Sequence, residues 1–207
     1  MSSNTQAVRF TGKNSIRTMA QISMLGAVAM ILMYFEIPLF FAPPFYKIDL
    51  SEIPVLIGCF AMGPVAGVLI ELVKILLHVV IQGTTTSGVG DLANFLIGCS
   101  FVVPAGLIYR RIKTKKGALI GMSVGTVLMT GIGCVLNAFV LLPFYSVALG
   151  MPMDALIQMG TDINAGIQDV FSFILLAVAP FNILKGILVS ALTLMLYKNI
   201  RPVLRAV

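Results

Sequence analysis

Several polar side chains stand where an apolar chain has little reason to keep them. Asn94, Asn137 and Asn182 each interrupt an apolar run, and Lys185 follows Asn182 by three positions in Pro180-Phe181-Asn182-Ile183-Leu184-Lys185-Gly186. Lys74 lies inside another apolar stretch, and Tyr46, Lys47 and Asp49 belong to the mixed segment FAPPFYKIDLSE at 41–52. An amide both donates and accepts hydrogen bonds, whereas an ammonium only donates. Asparagines joined by one lysine therefore suit a neutral ligand rich in carbonyls and ring nitrogens, while an anion would call for several Arg or Lys residues. Phe45, Tyr46 and Phe95 can supply flat apolar walls. The chemistry these residues could do is recognition of a small, flat, polar-edged molecule.

The elements that must position them are membrane helices. Of 207 residues, 58% are hydrophobic and 11% charged, against about 45–50% and about 25% in soluble domains. That excludes a soluble globular domain. At about 20 apolar residues per crossing, the composition supplies roughly six helices. The net charge of +6 would suggest nucleic acid in a soluble protein, but here the basic residues act as topology signals, and no nucleic-acid partner is expected.

Along the chain, 18–38 reads as a first span and 53–82 as an apolar stretch of 30 residues. As one helix that stretch would measure about 45 Å, too long for one crossing and short for two. Residues 83–90 (GTTTSGVG) form a polar loop, 92–109 a span, 110–116 (RRIKTKK) a basic loop and 117–143 another span. A long mixed stretch, 144–169, precedes a final apolar region ending at Tyr197. Lys and Arg concentrate in cytoplasmic loops. A turn at Gly63-Pro64, where glycine permits a bend and proline removes a helix donor, puts eleven of the 14 basic residues on the cytoplasmic side. The expected fold is an all-α polytopic membrane protein, a six-helix bundle with both termini cytoplasmic. It forms one integral membrane domain over 1–207: a cytoplasmic segment 1–15, six membrane helices within 16–199 and a tail 200–207. The second element, 53–62, is too short to cross and must be shielded by protein or dip in from outside.

Ionisable and amide groups within hydrocarbon are costly and mark function. Counting about 20 residues per span places Asn137 at the outer end of the fifth span and Asn182 and Lys185 in the first turns of the sixth, after Pro180. Asn94 starts the fourth span, and Lys74 lies near the middle of the third. The polar groups thus gather toward the outer face. Each has a plainer reading. Glu71, Lys74 and His78 share one helix face, which serves an ion pair as well as a ligand contact. Asn137 could cap a helix before Leu142-Pro143, and Lys185 could snorkel to the interface. Ala20, Ser23 and Ala27 form a small-residue stripe that admits either a partner helix or a neighbour in the same bundle.

Metal and enzyme motifs are missing. His78 is the sole histidine, and Cys59, Cys99 and Cys134 sit in apolar runs without ligand spacing. There is no phosphate-binding Gly-x-x-x-x-Gly-Lys-Ser/Thr loop, no Gly-x-Ser-x-Gly elbow, no His-Glu-x-x-His helix and no dinucleotide fingerprint. Apolar residues on both sides of Ala27-Val28-Ala29 favour a retained first span over a cleaved leader. Six elements without visible repeats are few for alternating access by one chain, which implies an energised partner.

In order and spacing, the segments Lys47-Ile48-Asp49-Leu50-Ser51-Glu52-Ile53-Pro54, Gly63-Pro64-Val65-Ala66-Gly67 continuing to Lys74, Ala93-Asn94-Phe95, Leu136-Asn137 with Leu142-Pro143 and Tyr145, and 180–186 resemble the riboflavin-specific substrate-binding (S) components of energy-coupling-factor (ECF) vitamin transporters. The resemblance covers roughly 16–197. It implies a six-helix fold and capture of riboflavin, with flavin mononucleotide as a further candidate, from outside. It also implies partnership with a transmembrane coupling subunit and two cytoplasmic ATPases, without catalysis or a cofactor in this chain. By resemblance, Asn182 and Lys185 contact the ligand from the sixth helix, Asn137 from the fifth, and Tyr46 lies over it. The stripe in the first span resembles the family's docking contact, with Met24 departing from a strict Ala-x-x-x-Ala pattern counted from Ala20. Expected substrate-binding residues are Phe45, Tyr46, Asp49, Asn94, Asn137, Asn182 and Lys185, with Lys74 as an outlying candidate. The alternatives are an S component for thiamine, biotin or pantothenate, and an autonomous channel or carrier lined by Glu71, Lys74 and His78. Long loops such as 144–169 often act as lids.

Overall fold

The computed structural model describes residues 13–39, 43, 46–84, 88–148 and 150–205, with side chains for those from 16 to 196. Phe45 lies outside the described residues. Helix α1 is Lys13–Tyr34, α2 is Glu52–Met62, α3 is Pro64–Gln82, α4 is Val89–Arg111 and α5 is Lys115–Leu136. A π-helical turn, Asn137–Leu141, joins α5 to α6, Leu142–Ala148. Helices α7, Met153–Thr161, and α8, Val170–Phe173, follow, and a second π turn, Ile174–Val178, leads into α9, Ala179–Arg205. Five stretches are long and apolar enough to cross a membrane, among them Lys115–Ala148 and Val170–Leu196; α2 is a shorter apolar helix. The chain is a multi-pass helical membrane protein.

The break at Gly63-Pro64 occurs where the sequence places it. Gly63 has φ 102°, a left-handed conformation open to glycine, and Pro64 opens α3, where its missing N–H costs nothing. The one-residue turn folds α2 back along α3. At 11 residues α2 is about 16 Å long, roughly half a bilayer core. Its polar ends escape lipid because α1, α3, α4 and α9 surround it, and Glu52, Val55, Leu56, Cys59 and Phe60 are buried.

Three boundaries differ from the sequence reading. The first span does not reach Pro38: α1 ends at Tyr34, and a short antiparallel ribbon pairs Ile37 with Ile48 and Pro38 with Lys47. The ribbon is supported by an ion pair of 2.6 Å between Lys47 and Glu36. Pro143 does not end the fifth span. The wide turn at 137–141, closed by the Leu142 N–H donating to the Asn137 carbonyl, absorbs the proline's missing donor, and the rod continues to Ala148. Nor does Pro180 start the sixth span, which already runs from Val170, so Asn182 and Lys185 sit about three turns inside it. Both corrections carry the polar groups further from the helix ends.

Helices α4 and α5 meet through small residues. Gly117, Gly121 and Gly125 recur every fourth position on α5 and are buried, and their faces abut the backbone carbonyls of Ile112, Ala105 and Phe101. In lipid, where the hydrophobic effect does not drive helices together, such close backbone approach supplies the packing. One apolar core, including Leu56, Ile70, Phe101, Val102, Met122 and Val189, fills the half nearer the basic loop. A second, built from Tyr46, Ile48, Leu142, Ile167, Phe173 and Phe181, ties the entering loop and the 144–169 segment to the opposite end.

A Cβ at Gly121 would lie 2.7 Å from the Ala105 carbonyl oxygen, a backbone atom that cannot swing aside. Gly121→Leu is expected to destabilise by at least about 1–3 kcal/mol, the usual cost of overpacking. Gly131→Ala, with nothing within 4 Å, is expected to leave thermal unfolding in detergent unchanged or slightly raised.

Candidate ligand-binding site

Between the two cores lies a cavity of about 160 Å³ lined by Tyr46, Asp49, Asn94, Asn137, Asn182 and Lys185, together with Glu36, Lys47, Glu52, Tyr145 and Phe181. Every expected site residue with a described side chain is there except Lys74. The α2 hairpin brings the 46–51 loop down into the bundle, α4 contributes Asn94, the first π turn opens with Asn137, and α9 presents Asn182 one turn after the second π turn. A π turn leaves the regular hydrogen-bond ladder and is common at functional sites.

The two asparagines are held alike. The Asn137 side-chain nitrogen donates to the Gly133 carbonyl at 2.8 Å and that of Asn182 to the Val178 carbonyl at 2.9 Å. Each back-bond fixes the amide plane and leaves a second N–H. Gly133 also makes room for Asn182, since a Cβ there would lie 3.0 Å from the Asn182 nitrogen. The Tyr46 hydroxyl donates to Asn137 Oδ1 at 2.5 Å, and its ring packs on Phe181 with centroids 5.2 Å apart. Burial, with Tyr145 nearby, pushes the Tyr46 phenol well above its ordinary pKa, so it remains a neutral donor.

Lys185 is half of a neutral pair. Its Nζ donates to Asp49 Oδ2 at 2.9 Å, and the Ser51 N–H donates to Asp49 Oδ1 at 2.8 Å. Burial alone would raise the Asp49 pKa, but Lys185, Lys74 and these hydrogen bonds overcome it and hold the carboxyl below the usual carboxylate range. Together Lys185 and Asp49 bring no net charge to the cavity.

Lys74 lies beneath the cavity, fully buried, with its Nζ 2.5 Å from Glu71 Oε1 and 3.0 Å from Glu52 Oε1. The ion-pair reading of Glu71 and Lys74 therefore holds, and Glu52 joins it. His78 turns instead to Asp91, 2.9 Å away. Phe95 is not among the lining residues; Phe181 and Tyr145 provide the aromatic wall. Sequence reasoning passed over Glu36, Glu52 and Phe181, although Glu52 stands in 47–54 and Phe181 directly before Asn182. A larger groove of about 570 Å³ between α5 and α9, lined by such residues as Val127, Ile183 and Leu194, has no charged or amide group with which to orient a polar molecule.

This architecture, a membrane bundle with a polar cavity between its cores, is that of a substrate-capture subunit. Residues 17–197 match the family described as the ECF transporter, substrate-specific component, and the chain belongs to that family. It is 34% identical over 186 residues to riboflavin transporter RibU of Staphylococcus aureus strain TCH60, covering 90% of this chain and 91% of that one. It is 30% identical to riboflavin transporter FmnP of Bacillus subtilis strain 168, covering 90% and 93%. A solved S component of a bacterial ECF transporter superposes with a TM-score of 0.71 at 34% identity, over 91% of this chain and 98% of that one. ThiT from Listeria monocytogenes shares the fold, with a TM-score of 0.53 at 17% identity over 91% and 99%.

Because the Asp49 carboxyl titrates lower in the folded protein than in the unfolded chain, where about 3.9 is usual, its contribution to stability is fully present above that value. It is lost as pH falls toward the folded pKa. Asp49→Asn should therefore lower the melting temperature by the same amount at pH 5 and at pH 8. A penalty that disappeared at pH 5 would show that Lys185 does not hold Asp49 ionised.

Proposed function

We propose that this chain captures riboflavin at the outer face of the cell membrane as the non-enzymatic substrate-specific subunit of an ATP-driven vitamin importer. The observation that carries this reading is the convergence of Tyr46, Asp49, Asn94, Asn137, Asn182 and Lys185 on one cavity, in a chain similar over nine-tenths of its length to proteins named riboflavin transporters. The uracil-like edge of the isoalloxazine ring carries two carbonyls and an N–H. Asparagine amides and a lysine ammonium supply matching donors and acceptors, and Tyr46 and Phe181 supply cover for the ring faces. Flavin mononucleotide shares that ring and therefore the same contacts.

A cavity of about 160 Å³ is below the 300–1,000 Å³ usual for ligand pockets. Admitting a flavin requires the loop bearing Tyr46 and Asp49 to draw back, exchanging the Tyr46 bond to Asn137 and the Asp49 bond to Lys185 for contacts with the ligand. The segment 144–169 packs as a lid through Leu156 and Ile167, both buried.

The whole chain, 1–207, acts as a single integral membrane domain of six helices, five long and α2 short. The basic loop and both termini are cytoplasmic, so the cavity opens outward. A transmembrane coupling subunit and two cytoplasmic ATPases provide the energy. Ala20 and Ser23 are exposed and Ala27 half-buried, while Gly26, between them, packs inward against Val73. The outward stripe supports close approach of a coupling helix.

The test is the visible spectrum of the detergent-purified chain after adding riboflavin and removing the excess; a retained flavin band is expected, and its absence from folded protein would overturn the reading. Lys185→Ala should weaken flavin binding more than tenfold, about 1.4 kcal/mol, while Cys99→Ser leaves it within twofold, both measured by fluorescence quenching of the flavin. Ser23→Trp should bind flavin normally as an isolated chain yet lose most ATP-dependent uptake when reconstituted with the coupling subunit and ATPases.

A further inference from the structure

The ionic cluster beneath the cavity has one carboxyl too many. Lys74 and Lys185 bring two ammonium groups, and Asp49, Glu52 and Glu71 bring three acids, all buried. Lys185 and Asp49 neutralise each other, which leaves Lys74 between Glu52 and Glu71. The Lys74 Nζ lies 3.0 Å from Glu52 Oε1, 2.5 Å from Glu71 Oε1 and 3.2 Å from Ser51 Oγ. The ammonium donates to Ser51 Oγ and Glu52 Oε1 and is held against Glu71 as an ion pair, so one cation serves both carboxyls.

Glu52 Oε2 and both carboxyl oxygens of Glu71 have no hydrogen-bond partner among the described residues, and the two side chains are 1% and 0% exposed. Among the described residues, the elements packed around the pair bring no further cation to it. From α4, Gly98 faces both carboxyls and a Cβ on it would strike that of Glu71, while the neighbouring Cys99 is a neutral thiol. From α9 comes Lys185, already paired. Helix α1, packed on α2 and α3, has no acid or base between Arg17 and Tyr34. Two ionised carboxylates around one ammonium would leave a net charge among buried groups, which is costly. Like-charged carboxyls in such a site resolve the conflict by retaining a proton.

We propose that Glu52 and Glu71 together hold one proton at neutral pH, making a neutral proton-binding site beneath the cavity. The proton is bound to a carboxylate oxygen of the pair, and on deprotonation it passes to bulk water and leaves the cluster with one negative charge. With it in place, Glu52, which lines the cavity, faces a ligand from an electrically neutral cluster. In the unfolded chain both glutamates ionise near pH 4.3. The folded protein therefore holds more protons than the unfolded one above that pH, and its stability falls as pH rises until the shared proton is lost.

Infrared spectroscopy of the detergent-solubilised full chain at pH 7 tests this directly. A protonated carboxyl band that shifts in deuterium oxide is expected in the wild type and in neither Glu52→Gln nor Glu71→Gln, because in each variant the remaining glutamate pairs with Lys74 as a carboxylate. The absence of the band from wild type, or its survival in either variant, overturns the proposal. Should a variant fail to fold, the wild-type band still decides: it must fade as the pH is raised and return when it is lowered. Between pH 5 and pH 7 the folding constant of wild type relative to Glu71→Gln should fall up to tenfold per pH unit, and a ratio independent of pH would refute a retained proton. One consequence rests on the proposed function: Glu71→Gln should bind riboflavin within threefold of wild type at pH 7, and folded variant protein that lost binding would count against a neutral pair. If wild type itself bound no flavin, that reading would fail while the infrared result stood.

Discussion

The arrangement around Lys74 governs the rest of the structure. A fully buried ammonium must be matched by acids that come to it, and here they come from two helices: Glu71 one turn earlier on α3 and Glu52 at the start of α2. The contact fixes how α2 folds back along α3 after the turn at Gly63. It also sets the depth to which the preceding loop descends, because Ser51, adjacent to Glu52, bonds to the same ammonium. Two residues earlier Asp49 reaches Lys185 on α9, and three before that Tyr46 reaches Asn137. A single chain of polar contacts thus runs from α3 through the loop to both rods that present asparagines. Each link satisfies a group that would otherwise stand unpaired in a medium where the penalty is severe.

The two π turns act at the other side of the cavity. Each widens a helix locally, at Asn137–Leu141 and at Ile174–Val178, and each is tied to one of the asparagines. Asn137 opens the first, and Asn182 donates to the carbonyl of Val178, the last residue of the second. The prolines at 143 and 180 follow the two turns by similar intervals. A proline deep in a rod removes a donor, and a widened turn just before it lets the ladder resume without a break. Irregular backbone occurs here inside protein, as the bilayer requires.

Much of this was legible in the sequence because the costs are local. The break at Gly63-Pro64, the shortness of α2 and the need to shield it followed from chain length, two residues and the charge rule. Asn137, Asn182 and Lys185 stood out because polar groups in apolar runs are expensive. What escaped was the reach of the rods. A count of about 20 residues per span assumes that helices end where the hydrocarbon does, so Pro143 and Pro180 read as boundaries; π turns have no local signature to correct that. Pairing was equally hidden. Nothing in 47–54 says that Asp49 turns toward Lys185 while Glu52 turns toward Lys74, since both partners are distant in sequence. The ribbon at Ile37–Pro38 was masked for the same reason, its partner strand lying in a segment rich in proline.

Two pairs of polar groups in the cavity, Tyr46 with Asn137 and Asp49 with Lys185, are already bonded to one another, and this bears on selectivity. Tyr46 satisfies Asn137 and Asp49 satisfies Lys185 in the same geometry that a ligand must replace. Binding strength is then the difference between what a ligand offers these groups and what they offer each other, so a molecule that supplies only part of the pattern leaves a buried donor or acceptor unmet. Unmet groups cost about 1–3 kcal/mol each, more for a charged one. A site built this way rejects near matches through the bonds they break and fail to remake, and it does so without a large apolar surface. The same pairing accounts for the burial of Lys185 with so few charged residues near it: Asp49 already compensates its charge.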